Sequence, residues 1–186
     1  MVSFPAARTR LIGSDADALE AFYHCYYEAV VRYLTRRIDD PHDIADLTAD
    51  TFLSAMRSAA TFDPRRGRPL AWLLGIAHNT VRGFHRQRAN DWQANRRIAG
   101  RRLLTTDDIL RLEERLDADR EAREVIELFD RLAPKDRELV ELVHMNGLTP
   151  QEAARALGML PAAARLRLFR ARATLRGALD AKEQGR

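Results

Sequence analysis

Apolar residues recur at three- and four-residue steps along most of this chain, and no stretch alternates as a half-buried strand does. Leu19, Phe22, Tyr23, Tyr26, Val30, Tyr33 and Leu34 trace the first such face. Asp15 or Asp17 is placed to cap that helix, and Asp39-Asp40-Pro41 ends it. A second helix is predicted from Pro41 to about Ala60, with Ile44, Leu47, Thr51, Phe52, Ala55 and Met56 on one face. Phe62-Asp63-Pro64-Arg65-Arg66-Gly67-Arg68-Pro69 then breaks the pattern with two prolines and a glycine. Pro69 suits the first position of a third helix, Leu70 to about Arg88, whose apolar side is Leu73, Leu74, Ile76, Ala77, Val81 and Phe84. These three helices are expected to form a self-sufficient unit.

From Ala89 to about Asp119 the periodicity weakens, Gly100 interrupts, and Thr105-Thr106-Asp107-Asp108 reads as the cap of a short helix near Ile109. Four further helices are predicted over Arg120–Leu132, Pro134 to about Asn146, Thr149–Leu157 and Pro161 to about Leu179. The expected fold is therefore all-α, with two small helical domains over 15–90 and 120–182 joined by a linker over 91–119.

Composition narrows the function classes. The chain has 186 residues, 46% hydrophobic and 31% charged, enough to bury real cores. Its longest apolar runs are too short to span a bilayer, and Met1–Arg10 lacks the apolar core of a secretory signal. Cys25 is the single cysteine, so no intrachain disulfide is possible, and a cytoplasmic protein is expected. The 31 basic and 27 acidic residues give only +4. They divide as 12 against 10 over residues 1–90, 8 against 10 over 91–128 and 11 against 7 over 129–186. Two basic units thus flank an acidic linker. Apart from Lys135 and Lys182 the positive charge is arginine, whose planar fork suits phosphates and base edges.

The sharpest local signal runs from Leu148 to Gly158. Thr149 is a natural N-cap, Pro150 suits the first helical position and Glu152 completes a capping box. Ala153 and Ala154 leave room for a crossing helix, and Gly158 permits a left-handed turn before the basic helix at Pro161. This is the anatomy of a helix-turn-helix, whose second helix enters the major groove. On that helix Arg165, Arg172 and Arg176 cluster, Arg167 and Arg170 point elsewhere, and Ala164, Leu168, Ala171 and Leu175 form the apolar stripe. A second nucleic-acid candidate joins Arg65, Arg66 and Arg68, beside Phe62, to Trp72, His78, Asn79, Arg82, His85 and Arg86. Interleaved rings and arginines suit unstacked single-stranded bases, although Phe62 and Trp72 equally fit a core. Pro41-His42-Asp43, with Asp46 and Asp50 nearby, lacks the further ligands of a metal hydrolase and reads as an acidic helix start. No nucleophile elbow, phosphate loop or metal-spaced Cys/His set occurs, so no catalytic residue, metal or cofactor is expected.

Taken together the two halves resemble an extracytoplasmic-function (ECF) sigma factor of bacterial RNA polymerase. Asp46-Leu47-Thr48-Ala49-Asp50-Thr51-Phe52-Leu53 is similar to the family's core-polymerase-binding helix in region 2. Phe62-Asp63-Pro64, Ala71-Trp72-Leu73 and Ile76-Ala77-His78-Asn79 resemble its loop and helix for the −10 element. Leu132-Ala133-Pro134-Lys135-Asp136-Arg137-Glu138 and Gly158 to Arg172 resemble region 4 and its −35-reading helix. The resemblance implies a non-enzymatic factor with core polymerase and promoter DNA as partners, an anti-sigma protein as regulator, no membrane insertion and no small-molecule substrate. It implies core-polymerase contacts at Asp46, Leu47, Asp50, Thr51 and Phe52. It implies −10 contacts at Arg65, Arg68, Trp72, His78, Asn79, Arg82 and Arg86, and −35 contacts at Thr149, Ala162, Ala163, Arg165, Leu166, Arg167 and Arg170. The acidic linker would lie in the RNA-exit path.

The chain departs from the family pattern at Gly83, where aspartate is common, and at Leu160, where Ser or Thr often caps the recognition helix. Ala163, Ala164 and Leu166 also replace residues that are usually larger or more polar, which predicts a −35 readout either biased to shape and phosphate contacts or strongly dependent on arginine–guanine pairs. The alternative is a helix-turn-helix regulator that binds duplex DNA alone. The Asp46–Phe52 helix separates the two, because a plain regulator has no use for it.

Overall fold

The structure, a computed structural model, describes residues 4–95, 129 and 131–184, with side chains described to residue 89 and to residue 180. Asp15 caps the first helix, accepting from the Ala18 nitrogen at 3.1 Å, and α1 spans Ala16–Thr35. Asp40 caps α2 (Pro41–Ser58), accepting from the nitrogens of His42 and Asp43. A 3₁₀ turn at Ala59–Thr61 leads into the Phe62–Pro69 loop. Helix α3 (Pro69–Asn95) runs beyond its predicted end at Arg88. Phe22, Val30, Leu34, Leu73, Leu74 and Ala77 are fully buried where the three helices meet.

One element escaped the periodicity. Ala6–Gly13 forms an N-terminal 3₁₀ helix against α1 and α2, anchored by buried Phe4, Thr9 and Ile12. The Phe4 nitrogen donates to Tyr26 Oη at 3.2 Å, and its ring meets Phe22 edge-on at 5.2 Å.

The second half supplies α4 (Pro134–His144), α5 (Pro150–Ala156) and α6 (Pro161–Gln184). The predicted linker beyond residue 95 and most of the predicted Arg120–Leu132 helix lie outside the described residues. Ala164, Leu168 and Ala171 are buried on α6, as the apolar stripe predicts. Among the described residues there is no strand, and no helix is long and apolar enough to cross a membrane.

The two sets of helices touch. Helix α5 crosses α3 at Gly75, where a Cβ would lie 3.3 Å from the Ala156 Cα, so only glycine allows this approach without displacement. Beside it, Glu138 of α4 enters a pocket of α1 and α3 side chains. Tyr33 Oη donates to its Oε1 at 2.5 Å, and His78 Nδ1 lies 2.8 Å from the same oxygen. Arg37 reaches Glu138 at 3.4 Å and Glu141 at 2.8 Å while stacking 3.7 Å over the Tyr33 ring.

Candidate nucleic-acid interface

Three surfaces carry the residues singled out above. On α2 the periodicity splits the motif in two. Leu47, Thr51 and Phe52 are buried, whereas Asp46, Ala49, Asp50 and Leu53 form its exposed side. Neither carboxylate has an ion-pair partner among the described residues. Tyr23 and Tyr27 of α1, each 38% exposed, extend this side, with the Tyr23 ring 4.7 Å from Phe52. Asp43, by contrast, pairs with Arg88 at 3.1 Å.

The second surface is the loop and α3. Phe62 is buried with its ring tilted against Trp72 at 5.3 Å, and Trp72 is half-buried and also meets Phe22 edge-on. Asp63 caps the short 3₁₀ turn Pro64–Arg66 by accepting from the Arg65 nitrogen at 3.0 Å. Trp72, Asn79 and Arg86 fall on one side of α3 with Arg82 within about 60° of Asn79, while His78 points about 100° away. Asn79, Arg82 and Arg86 are exposed, whereas His78 is turned into the Glu138 cluster. Phe62, Trp72, Ile76 and Asn79 line a cavity of about 330 Å³ whose opposite wall is Glu152, Arg155 and Ala156 of α5.

Arg68 is likewise engaged by α5. Its backbone nitrogen and Nε both donate to Glu152 Oε1 at 3.0 Å, and its Nη2 reaches Glu152 Oε2 at 2.9 Å and the Gly147 carbonyl at 2.6 Å. Arg155 donates to the Arg66 carbonyl. The same Glu152 completes the predicted capping box, accepting from the Thr149 nitrogen at 2.9 Å while the Thr149 hydroxyl accepts from the Glu152 nitrogen at 3.2 Å. Burial pushes the carboxyls of Glu138 and Glu152 up, but hydrogen bonds outweigh it and hold both at about 2. For Glu138 the donors are His78 and Tyr33, and for Glu152 they are Arg68 and Thr149.

The sign follows from linkage: a depressed carboxyl supports the arrangement above its ordinary value near 4.5 and loses that support as pH falls toward 2. The α3–α5 contact, followed by hydrogen exchange, is therefore expected to persist at neutral pH and to loosen only below about pH 4.5. Loosening with a midpoint above about pH 6 would mean that a histidine governs it instead.

The third surface is the helix-turn-helix. Gly158 adopts φ +64°, the left-handed turn that the sequence requires. Leu160, 76% exposed, precedes α6 with a side chain that has no acceptor for a cap. Ala162, Ala163, Arg165, Leu166 and Arg170 are exposed on α6. Arg167 is not, because its Nη1 binds Asp136 of α4 at 2.6 Å. The sequence reading missed Phe169, which is 72% exposed beside Leu166 on the outward side. Thr149 is committed to the capping box.

Comparison with known proteins decides the family. The Sigma-70 region 2 family matches residues 22–90 and the Sigma-70 region 4 family matches residues 122–175. An ECF RNA polymerase sigma factor SigK from Mycobacterium ulcerans is 30% identical over 168 residues, 90% of this chain and 88% of that one. The chain belongs to the ECF sigma factors. A SigK from Mycobacterium sp. (strain KMS) is 31% identical over 142 residues, 73% of this chain and 69% of the relative. Among solved structures, CnrH, in complex with the cytosolic domain of CnrY, is 26% identical with a TM-score of 0.61, the match covering 94% of this chain and 98% of CnrH. As an ECF sigma factor the chain binds core RNA polymerase and directs promoter recognition and transcription initiation.

Proposed function

We propose that this sigma factor holds core polymerase with the exposed side of α2, captures −10 bases with the loop and α3, and reads the −35 duplex with the outward side of α6, doing no chemistry itself. The observation that carries this reading is α2. It keeps Asp46, Asp50 and Leu53 exposed beside two half-exposed tyrosines, an acidic and apolar strip that a stand-alone DNA binder does not need. The buried Leu47, Thr51 and Phe52 position that strip and do not touch the partner. Capture of unstacked bases supplies the drive for duplex opening, with Trp72 and Asn79 facing the cavity and Arg65, Arg82 and Arg86 available for phosphates.

In the arrangement described, α5 closes that cavity and occupies Arg68, and the two reading units touch. Promoter binding therefore requires α4–α6 to leave the face of α3. A partner protein that holds both units together fits as the regulator, and the similar chain CnrH is found in complex with the cytosolic domain of CnrY.

The test is promoter-specific run-off transcription with purified core polymerase, and absence of initiation would overturn the reading. Within region 4, Arg165→Ala is expected to weaken −35 duplex binding by about 1–3 kcal/mol and to relax its specificity. Arg167→Ala is expected to act on stability instead, by about 1 kcal/mol, because its guanidinium is spent on Asp136. Duplex titrations beside thermal melts of both variants check this, and the reverse ranking would reassign the reading face.

A further inference from the structure

The N-terminal 3₁₀ helix lies ahead of the matched region, which begins at residue 22, yet it is built onto the −10 loop. Its base is fixed by buried Phe4, Thr9 and Ile12, and at its end Gly13 packs so closely on α2 that a Cβ would lie 2.9 Å from the Met56 carbonyl oxygen. From this base Arg10 donates its Nε to the Phe62 carbonyl at 2.8 Å. Phe62 is where the loop departs, its ring buried against Trp72 and its nitrogen bound to the Ala59 carbonyl at 3.1 Å. The terminal nitrogens of Arg10 make no hydrogen bond among the described residues. Arg10 lines an open groove of about 490 Å³ together with Ala6, Ala7, Asp63, Pro64 and Arg65. Asp63, the carboxylate in this lining, accepts from the Arg65 nitrogen and also borders the cavity of Trp72 and Asn79, so groove and cavity share a wall.

We propose that this groove is a phosphate-binding extension of the −10 interface for single-stranded DNA. Arg10 fixes the loop through its Nε and takes a backbone phosphate with its terminal nitrogens, and Arg65 lines the other side. The argument rests on the −10 reading above and adds a reason for the segment. Once α5 leaves, Arg68 loses Glu152 and Gly147, and the restraints remaining on the loop within the first unit include the Phe62–Trp72 ring contact, the Asp63 cap and Arg10. A guanidinium suits both tasks, because its donors point in divergent directions within one plane.

Holoenzyme reconstituted from the full chain and core polymerase is tested against a fluorescent randomised single-stranded DNA pool, reading affinity, its salt dependence and the base preference of the bound fraction. Arg10→Ala is expected to weaken binding about fivefold, near the worth of one hydrogen bond, and to lower the log–log salt slope by about 0.7, one phosphate on a single strand. Arg10→Lys is expected to keep the slope while blunting base preference, since a single ammonium on a flexible stem does not serve both the carbonyl and the phosphate. Asn79→Ala separates the layers of the argument by blunting preference with the slope unchanged. If Asn79→Ala acts and Arg10→Ala leaves the slope intact, even with a lowered melting temperature, the groove proposal is overturned while the −10 reading stands. If neither variant alters base preference, the −10 reading itself fails.

Discussion

Arg37→Ala is expected to separate the two helical units of the free protein, shifting the balance of closed and open forms about a hundredfold toward open. In the closed form the Arg37 side chain is 13% exposed and its partners Glu138 and Glu141 are 18% and 8% exposed. Deleting one member of such a pair costs about 3–5 kcal/mol, because a carboxylate out of water loses its partner, here Glu141, while Glu138 keeps Tyr33 and His78. Partial exposure reduces this to about 2.7 kcal/mol, which is the hundredfold stated. No such penalty exists once the units part, since both carboxylates are then solvated. Arg37 is a suitable position because it belongs to none of the proposed DNA or polymerase contacts. Scattering should show a larger radius of gyration, and the free chain should bind −35 duplex more tightly. Unchanged dimensions would show that the remaining contacts, among them the α3–α5 packing at Gly75 and the Arg68–Glu152 pair, hold the units together without Arg37.

Asp50→Arg is expected to weaken core-polymerase binding about a hundredfold with little change in melting temperature. Asp50 is exposed in a helix interior, where arginine is a good helix former, so the fold has no stake in the carboxylate. An acidic strip implies a basic partner surface, and reversing one charge sets like charges together at a cost of several kcal/mol. Phe52→Ala provides the contrast. Its ring is 5% exposed and packs on Phe22 and Tyr23, so the loss is expected in stability, about 3–5 kcal/mol, before any effect on binding. Fluorescence titration of core polymerase with each folded variant distinguishes them. Equal core affinity for wild type and Asp50→Arg would remove α2 as the docking surface.

Helix starts were legible because their signals are local. The Asp15 cap, the Thr149–Glu152 box and the prolines opening α2 to α6 each act within a few residues, and each helix begins where they predict. The N-terminal 3₁₀ helix was not legible, because it has no periodic face and is held by Phe4 and Ile12 packing on distant residues. Contacts between the halves were equally invisible. Nothing local to Arg68 points to a carboxylate 84 residues away, or local to Arg37 to one 104 residues away. The mixed exposure of the residues grouped within one site has a different origin. Leu47, Thr51 and Phe52 were grouped with Asp46 and Asp50 because a motif is written as a string, whereas a helix presents faces. The apolar face read from the same sequence already contained all three. The engagement of Arg167 was hidden similarly, since its partner Asp136 lies in another helix.

Glu152 closes its own capping box and grips Arg68 at the same time. When Arg68 lets go, the cap remains, so the reading head departs already folded. Release is then a rigid-body step, with a rate set by contact breakage on the microsecond to millisecond scale of domain motions. A carboxylate that served only as a latch would leave the head half-made at the moment of departure. On the proposed opening, the switch from closed to open protein needs no refolding of this helix, so the speed of a transcriptional response would be left to whatever removes the restraint.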